Sequence, residues 1–429
     1  MCPAVSANGA TGPLLSSPMA KSTEAALHPA ESVTLAEVES AAEILAPVAE
    51  VTPVQPSRLL SEIIGHPVWL KLENLQRAGS FKIRGAYNRM ARLNDDEKAR
   101  GVVAASAGNH AQGVALGAAM LGMKATIYMP VDAPLPKIEA TKGYGAEVKL
   151  RGKSVDEALK FALEESQQTG ATLIHPFDHA DIVAGQGTIA LEILKQVPDV
   201  DTIIAPVGGG GLLAGIATVT AALAPHVRVV GVQAKNAAAY PDSIAAQKPV
   251  PRKLGQTMAD GIAVGTPGIV PLEILTRLGV EIRTVSEGSL AKAMLSLIER
   301  SKLVVEPAGA AGVAELLEDP QAFTGTTVAV ISGGNIDPLL LMRLIRRGLV
   351  DGGRLLQLRV QVDDRPGSLA RLLAVAADNG ANVVDVRHSR TETNLGIFEA
   401  VVLLELETKG PQHCATIKQA ILDSGFTLA

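Results

Sequence analysis

From residue 102 to residue 331, short apolar, often β-branched runs alternate with longer stretches of helical period. The runs fall at 102–105, 125–129, 147–150, 172–174, 202–205, 228–232 and 327–331, and helix-like stretches at 111–121, 155–167 and 182–196 lie between them. This alternation predicts an α/β fold, a mostly parallel sheet wrapped by helices. Ligands on such sheets sit at the strands' C-terminal ends, where glycine turns lead into helices. Ahead of the first run, Thr34-Leu35-Ala36-Glu37 has the capping-box pattern and predicts a helix towards Leu45.

The pattern changes near Leu349. Val350-Asp351-Gly352-Gly353-Arg354 reads as a linker, residues 356–362 alternate as a half-buried strand, and Asp363-Asp364-Arg365-Pro366-Gly367 makes a turn. Ser368 is expected to cap a helix to Asn379, with Gly380 as its stop. Strands at 382–388 and 397–406, a helix over about 411–424 and room for a last strand complete a separate α+β domain.

Composition supports a globular chain. Hydrophobic residues are 47% of the 429 and charged residues 19%, enough for a sizeable core, but aromatics are only 3%, so Ala, Val, Leu and Ile must build it. A net charge of −5 gives no general attraction to nucleic acid or an anionic membrane. Cys2 and Cys414 make neither a disulfide framework nor a zinc cluster, and a reducing cytoplasm is the expected compartment. Residues 1–33 read as a disordered tail, lacking both an apolar signal core and arginine. Residues 202–226 carry no Asp, Glu, Lys or Arg and could span a bilayer by length, but four glycines break them into a strand, a loop and a helix.

Three segments carry chemistry. Lys82 stands in Gly79-Ser80-Phe81-Lys82 between a turn and a helix. A lone lysine is usually a solvated surface lysine; buried, it would have a lowered amine pKa and could form a Schiff base. Ser106-Ala107-Gly108-Asn109-His110 follows a strand and opens a helix, so its free amides suit a carboxylate, or it is an ordinary turn. His110 reads as a packing or capping histidine rather than a base. Gly208-Gly209-Gly210-Gly211 lacks the Lys-Ser/Thr of a nucleotide loop and matches no dinucleotide fingerprint, and it lets several amides converge on one phosphate. A fourth, weaker signal is Ser332-Gly333-Gly334-Asn335 after the last strand.

Together these segments resemble the fold-type II pyridoxal-phosphate enzymes, and among them the threonine dehydratases. The resemblance runs from about residue 43 to residue 347. It includes Glu73-Asn74-Leu75-Gln76, Lys82-Ile83-Arg84-Gly85-Ala86, His175-Pro176-Phe177-Asp178, Gly185-Gln186-Gly187-Thr188 and Glu306-Pro307-Ala308-Gly309. It implies two open, twisted sheets, the smaller subdomain at about residues 80–180, within a catalytic unit at 34–349. It implies that Lys82 holds pyridoxal 5'-phosphate covalently, with Phe81 beside it and Asn109 on the ring hydroxyl. Gly208, Gly209, Gly210, Gly211 and Leu212 would cradle the phosphate, Ser332 would bond the pyridine nitrogen, and Gly185 would belong to the cofactor site. Ser106, Ala107, Gly108, Asn109 and His110 would clamp the substrate carboxylate. The activity implied is β-elimination of L-threonine to 2-oxobutanoate and ammonia, with L-serine as a side substrate that differs by one methyl group.

A serine dehydratase or a racemase of the same fold is the alternative, and a non-catalytic amino-acid sensor a remote one. Racemases of this fold place a second hydroxyl where this chain has Ala107. They also carry metal-binding acids after the strand where this chain has Gln233-Ala234-Lys235-Asn236, so no metal is expected. Residues 355–429 resemble an ACT domain, joined by a linker at 350–354. That implies pairing into a homo-oligomer, a dimer or tetramer, and an amino-acid effector, isoleucine being one candidate, held by Arg365, Pro366, Gly367, Ser368, Leu369 and Asn382. The alternative is an oligomerisation module without a ligand.

Overall fold

The computed structural model describes residues 33–391 and 395–428, so the expected tail lies, but for Val33, outside the described residues. The first helix, Leu35–Leu45, is capped by Thr34 with Glu37 returning the bond, the reciprocal pattern the sequence predicts.

Three sheets follow. The largest has six strands: β1 (Val54–Pro56), β2 (Val68–Lys71), β7 (Thr202–Pro206), β8 (Arg228–Ala234), β9 (Glu281–Val285) and β10 (Thr327–Val330), in the order β1-β2-β10-β7-β8-β9. All neighbours in it are parallel except β1, which pairs antiparallel with β2. The second is parallel throughout, with β3 (Val102–Ala105), β4 (Ala125–Met129), β5 (Glu147–Leu150) and β6 (Thr172–Leu173) in the order β5-β4-β3-β6. These are the two mostly parallel, helix-wrapped sheets expected. The sequence reading does not contain β1, β2 or β9. β1 is three residues with a proline, and β9 alternates charged and apolar residues at a sheet edge, so neither reads as a buried run. β2 ends on Lys71, which is buried only because Glu192, Gln196 and the Thr52 carbonyl receive its amine. The uncharged stretch after residue 201 becomes β7, the glycine loop and the helix Gly211–Leu223, and no helix among the described residues is long and apolar enough to cross a membrane.

Glycines let the central helices touch. The helix Ala180–Gln196 crosses the Lys82 helix (Lys82–Ala91) at Gly185, where a Cβ would stand 2.7 Å from the Arg84 carbonyl oxygen and the Gly85 Cα. Gly185 therefore lies at the contact between two buried helices. At the same crossing a buried polar network fixes the Lys82 helix. Arg84 donates to both Glu73 oxygens at 2.8 Å and to Glu192 Oε1 at 2.7 Å, and Lys71 donates to Glu192 Oε2 at 2.5 Å. Burial works against the Arg84 charge, but Glu73 and Glu192 outweigh it and hold the guanidinium firmly protonated.

The helix Pro338–Asp351 runs further than expected, shortening the linker to Gly352-Gly353-Arg354. The third sheet is antiparallel in the order β12-β13-β11-β14, from β11 (Leu355–Asp363), β12 (Asn382–Ser389), β13 (Glu399–Glu407) and β14 (Thr427–Leu428). With helices Ser368–Asp378 and Pro411–Asp423 it makes the βαββαβ order of an ACT-like domain, with a hydrophobic cluster of its own. The N-cap of its first helix is Gly367, with φ +90° and no side-chain bond, and not Ser368, which is already helical. Asn382 pairs with Glu407, opposite Leu355 at the start of β11, whereas the turn from Arg365 to Leu369 follows the far end of β11. Eight residue steps of strand separate them, about 27 Å. One copy of the chain therefore does not bring the expected effector residues together. Ion pairs Arg346–Glu405 and Arg354–Glu299 tie this domain to the larger part.

Candidate active site

The chemistry-bearing loops converge where the strand order predicts, at the C-terminal ends of β3, β7 and β10. The turn before Lys82 is sewn to the loop after β10. Phe81 donates its amide to the Ser332 carbonyl at 3.1 Å, Gly334 to Gly79 at 2.9 Å, and Ser80 forms an antiparallel bridge with Gly333. This zipper brings Lys82 beside a loop that lies 250 residues away in sequence.

Lys82 opens its helix and keeps part of its surface towards the cleft, while its amine is enclosed by protein and donates to the Pro176 carbonyl at 3.0 Å. The amine also lies 5.1 Å from the centre of the Phe81 ring. Burial lowers its pKa to about 8, with Glu306 pulling the other way. An amine so placed keeps a sizeable neutral fraction near neutral pH, as a nucleophile or base requires.

The loop after β3 leads into the helix Asn109–Met120. Ser106 Oγ accepts the Gly108 amide at 3.1 Å, whereas among the described residues the amides of Ala107 and Asn109 donate to no protein group. His110 is buried and its Nε2 donates to the Ile174 carbonyl at 2.8 Å. Burial, then the Lys82 charge, push its pKa down to about 3, so its ring is neutral and serves packing, as expected.

The glycine loop follows β7. Among the described residues the amides of Gly208, Gly209 and Gly210 donate to no protein group, and they stand at the start of the helix Gly211–Leu223. Packing allows no side chain at its middle: a Cβ on Gly209 would lie 2.2 Å from the Phe177 ring, and one on Gly210 only 1.7 Å from Tyr240 Oη. Tyr240 donates to the Gly209 carbonyl at 3.0 Å and fixes the loop from behind. Leu212 and Ser332 are both buried at this end of the sheet.

Residues without an expected role complete the site. Asn109 donates to Glu306 Oε1 at 2.5 Å and accepts from Asn335 Nδ2 at 2.8 Å. Both partners stand in the motifs Glu306-Pro307-Ala308-Gly309 and Ser332-Gly333-Gly334-Asn335, a signal that marked them without giving them a task. Lys137, which carries no motif, pairs with Asp260 at 2.6 Å. With Glu306 and Asn335 they line a cavity of about 720 Å³. Burial, reinforced by Asp260, raises the Glu306 carboxyl to about 7.

That shift has a sign in stability. Between about pH 4.5 and 7 the folded chain keeps a proton that the unfolded chain has lost, so this contribution is whole below pH 4.5 and gone above about pH 7. Glu306→Gln should flatten the fall of the melting temperature between pH 5 and 8 and gain roughly 1–3 kcal/mol at pH 8. Parallel curves for the variant and the parent, from thermal denaturation across that range, would contradict the shift.

The sequence profile described as pyridoxal-phosphate dependent enzyme matches residues 45–334. The chain belongs to this family. An L-threonine ammonia-lyase of Thermotoga maritima is 44% identical over 394 residues, covering 92% of this chain and 98% of its own. Among solved structures, the T.th. threonine deaminase is 40% identical with a TM-score of 0.68, covering 71% of this chain and 99% of its own. Maize serine racemase is 34% identical with a TM-score of 0.70, covering 75% and 99%. The chain is thus a pyridoxal-phosphate-dependent lyase of fold-type II, and its site suits that cofactor. The open amides of the glycine loop, in a cradle a Cβ would fill, match a phosphate, and the enclosed Lys82 amine matches an aldehyde.

Proposed function

We propose that the chain is an L-threonine ammonia-lyase, removing water from L-threonine so that the released enamine hydrolyses to 2-oxobutanoate and ammonia, with L-serine giving pyruvate. The observation that carries this reading is the placement of the Lys82 amine among two sets of open amides and the Ser332 loop. Similarity to the Thermotoga L-threonine ammonia-lyase over 92% of the chain supports it.

Bound pyridoxal phosphate supplies an electron sink for the bonding pair at Cα. The protein's part begins with anchoring: Gly208, Gly209, Gly210, Gly211 and Leu212 would hold the phosphate, Asn109 the ring hydroxyl, and Ser332 the ring nitrogen. The loop from Ser106 to His110 takes the substrate carboxylate on its open amides and turns the Cα–H bond towards Lys82. When free, Lys82 Nζ would accept the Cα proton, which a pKa of about 8 allows near neutral pH. Ser332 offers a neutral hydroxyl where a carboxylate would hold a full positive charge on the ring nitrogen. With such a sink, loss of the β-hydroxyl would be favoured, and the proton that Lys82 Nζ takes from Cα would leave with it as water. Glu306 holds Asn109 from behind. The likeness to maize serine racemase makes racemisation the second reading, but Ala107 has no proton to deliver from the opposite face.

Keto-acid and ammonia assays of the full chain with L-threonine and L-serine test the reading, each with and without the branched-chain amino acids. 2-Oxobutanoate from threonine is expected. D-serine formed from L-serine without keto acid would replace this reading by racemisation.

The C-terminal domain is proposed as the effector module of a dimer or tetramer. With Asn382 and the Arg365 turn at opposite ends of β11, a joint site requires two copies. Its separate hydrophobic cluster supports excision. A chain ending before Leu356 should keep threonine turnover within about tenfold of the parent and lose any amino-acid effect on the saturation curve, since such coupling is typically worth about 1–3 kcal/mol. A soluble truncated chain that still responds would move the regulatory site elsewhere.

A further inference from the structure

Between β6 and the helix Ala180–Gln196 the chain crosses the cleft in one short strap, and Ile174, Pro176, Phe177 and Asp178 each touch a different element. The Ile174 carbonyl accepts from His110, in the loop after β3. The Pro176 carbonyl accepts from Lys82 Nζ at 3.0 Å. The Phe177 ring lies under the glycine loop, 2.2 Å from where a Cβ on Gly209 would stand, and 2.9 Å from one on Gly268. Asp178 Oδ1 accepts the Val270 amide at 2.9 Å, in the first turn of the helix Ile269–Arg277.

His175 holds this strap in shape. Its Nδ1 accepts the Asp178 amide at 2.8 Å and the Phe177 amide at 3.4 Å, and its ring meets the Phe177 ring edge-on at 4.7 Å between centroids. An imidazole nitrogen can accept only while it carries no proton, so the ring must stay neutral with its proton on Nε2. Burial and the Lys82 charge lower its pKa to about 4, although Asp178 opposes them, so the acceptor persists across the neutral range. The Phe177 amide shares its planar peptide with the Pro176 carbonyl and the Asp178 amide belongs to the next peptide, so holding them fixes where the Pro176 carbonyl points.

We propose that His175 is a positioning residue for Lys82: by accepting the Phe177 and Asp178 amides it fixes the Pro176 carbonyl as the acceptor of the lysine amine whenever that amine is free of the cofactor. The inference rests on the reading of Lys82 as the base that is freed when the substrate amine takes its place. A free four-carbon side chain samples many rotamers, and each wrong one removes the amine from the Cα proton. A fixed carbonyl 3.0 Å away selects one. The same bond favours the protonated amine and so steadies the lysine after it has taken the proton. Because Phe177 shares the turn, amine and phosphate cradle are located by one element.

The test compares His175→Ala, which deletes the acceptor, with His175→Asn, whose Oδ1 can stand near the place of Nδ1. Two readouts are taken on the full-length protein. The first is independent of turnover: reductive methylation of Lys82 after removal of the cofactor, followed by mass spectrometry as a function of pH. The second is the pH profile of kcat with L-threonine. In His175→Ala the midpoint of Lys82 labelling should move to lower pH, because the carbonyl no longer favours the protonated amine. kcat should fall about tenfold or more, with KM within about threefold. His175→Asn should restore both. Unchanged labelling and kcat in a folded His175→Ala overturn the proposal. So does a fall in kcat that His175→Asn fails to restore while labelling stays at the parent midpoint, which would mark a merely structural histidine. A parent chain that does not turn over threonine would overturn the reading of function instead, and the labelling midpoint would still report on the positioning of Lys82.

Discussion

Lys82→Ala is expected to lower threonine turnover by at least ~10³-fold, because one substitution removes both the covalent tether and the base. The fold should survive. Lys82 is the first residue of its helix, and its neighbours Ile83 and Arg84, not its own side chain, hold that helix in the core. Loss of the amine also removes a charge that Glu306, His110 and His175 all feel, so the two histidines should become slightly easier to protonate. Added primary amines should restore a small part of the rate by occupying the space of the missing side chain. Near-parental formation of 2-oxobutanoate by the purified variant would show that another group does this work.

The second large effect is expected at Gly210. Its φ of +99° already disfavours any side chain, and a Cβ there would stand 1.7 Å from Tyr240 Oη and 2.8 Å from Pro271 Cβ. Tyr240 is fully buried and cannot swing into solvent, so Gly210→Ala must displace the ring, break its bond to the Gly209 carbonyl and shift the loop. A cost of about 3 kcal/mol or more follows from backbone strain plus overpacking. Cofactor affinity should fall at least ~tenfold, since the open amides no longer converge on one phosphate. Tyr240→Phe separates the contributions: it keeps the packing and loses only the hydrogen bond, for about 1 kcal/mol. Urea unfolding and cofactor titration of both variants measure this, and a Gly210→Ala protein with parental stability and affinity would contradict the packing described here.

These two sites mark where sequence and structure agree and where they part. The buried runs that became β3, β4, β7, β8 and β10 were legible because a strand covered on both faces must be apolar along its length. The glycine loop and the Lys82 turn were legible because their residue types are rare elsewhere: four successive glycines, and a lysine between a turn and a helix. Edge strands β1 and β9 were not, since one side of each is open and their composition follows solvent as much as the core. Lys71 hid β2 for a different reason: its burial depends on Glu192 and Gln196, over a hundred residues away. The same kind of distance concealed the roles of Glu306 and Asn335, each meaningful only against Asn109. Gly185 has a packing role that the sequence did not show. The crossing of two helices far apart in sequence explains why no larger residue fits there. Asn382 and the Arg365 turn belonged together by resemblance, but register, which composition does not reveal, sets them at opposite ends of β11.

The most direct measurement is the location of the cofactor bond. The purified full-length protein, yellow with bound pyridoxal phosphate, is reduced with borohydride, digested with trypsin and mapped by mass spectrometry. The account requires that the colour bleach and that the reduced cofactor be found on Lys82, in a fragment from Ala78 to Arg84 left uncut at the modified lysine. Cofactor on Lys137, which lines the neighbouring cavity, on Lys71, or on no lysine would contradict it.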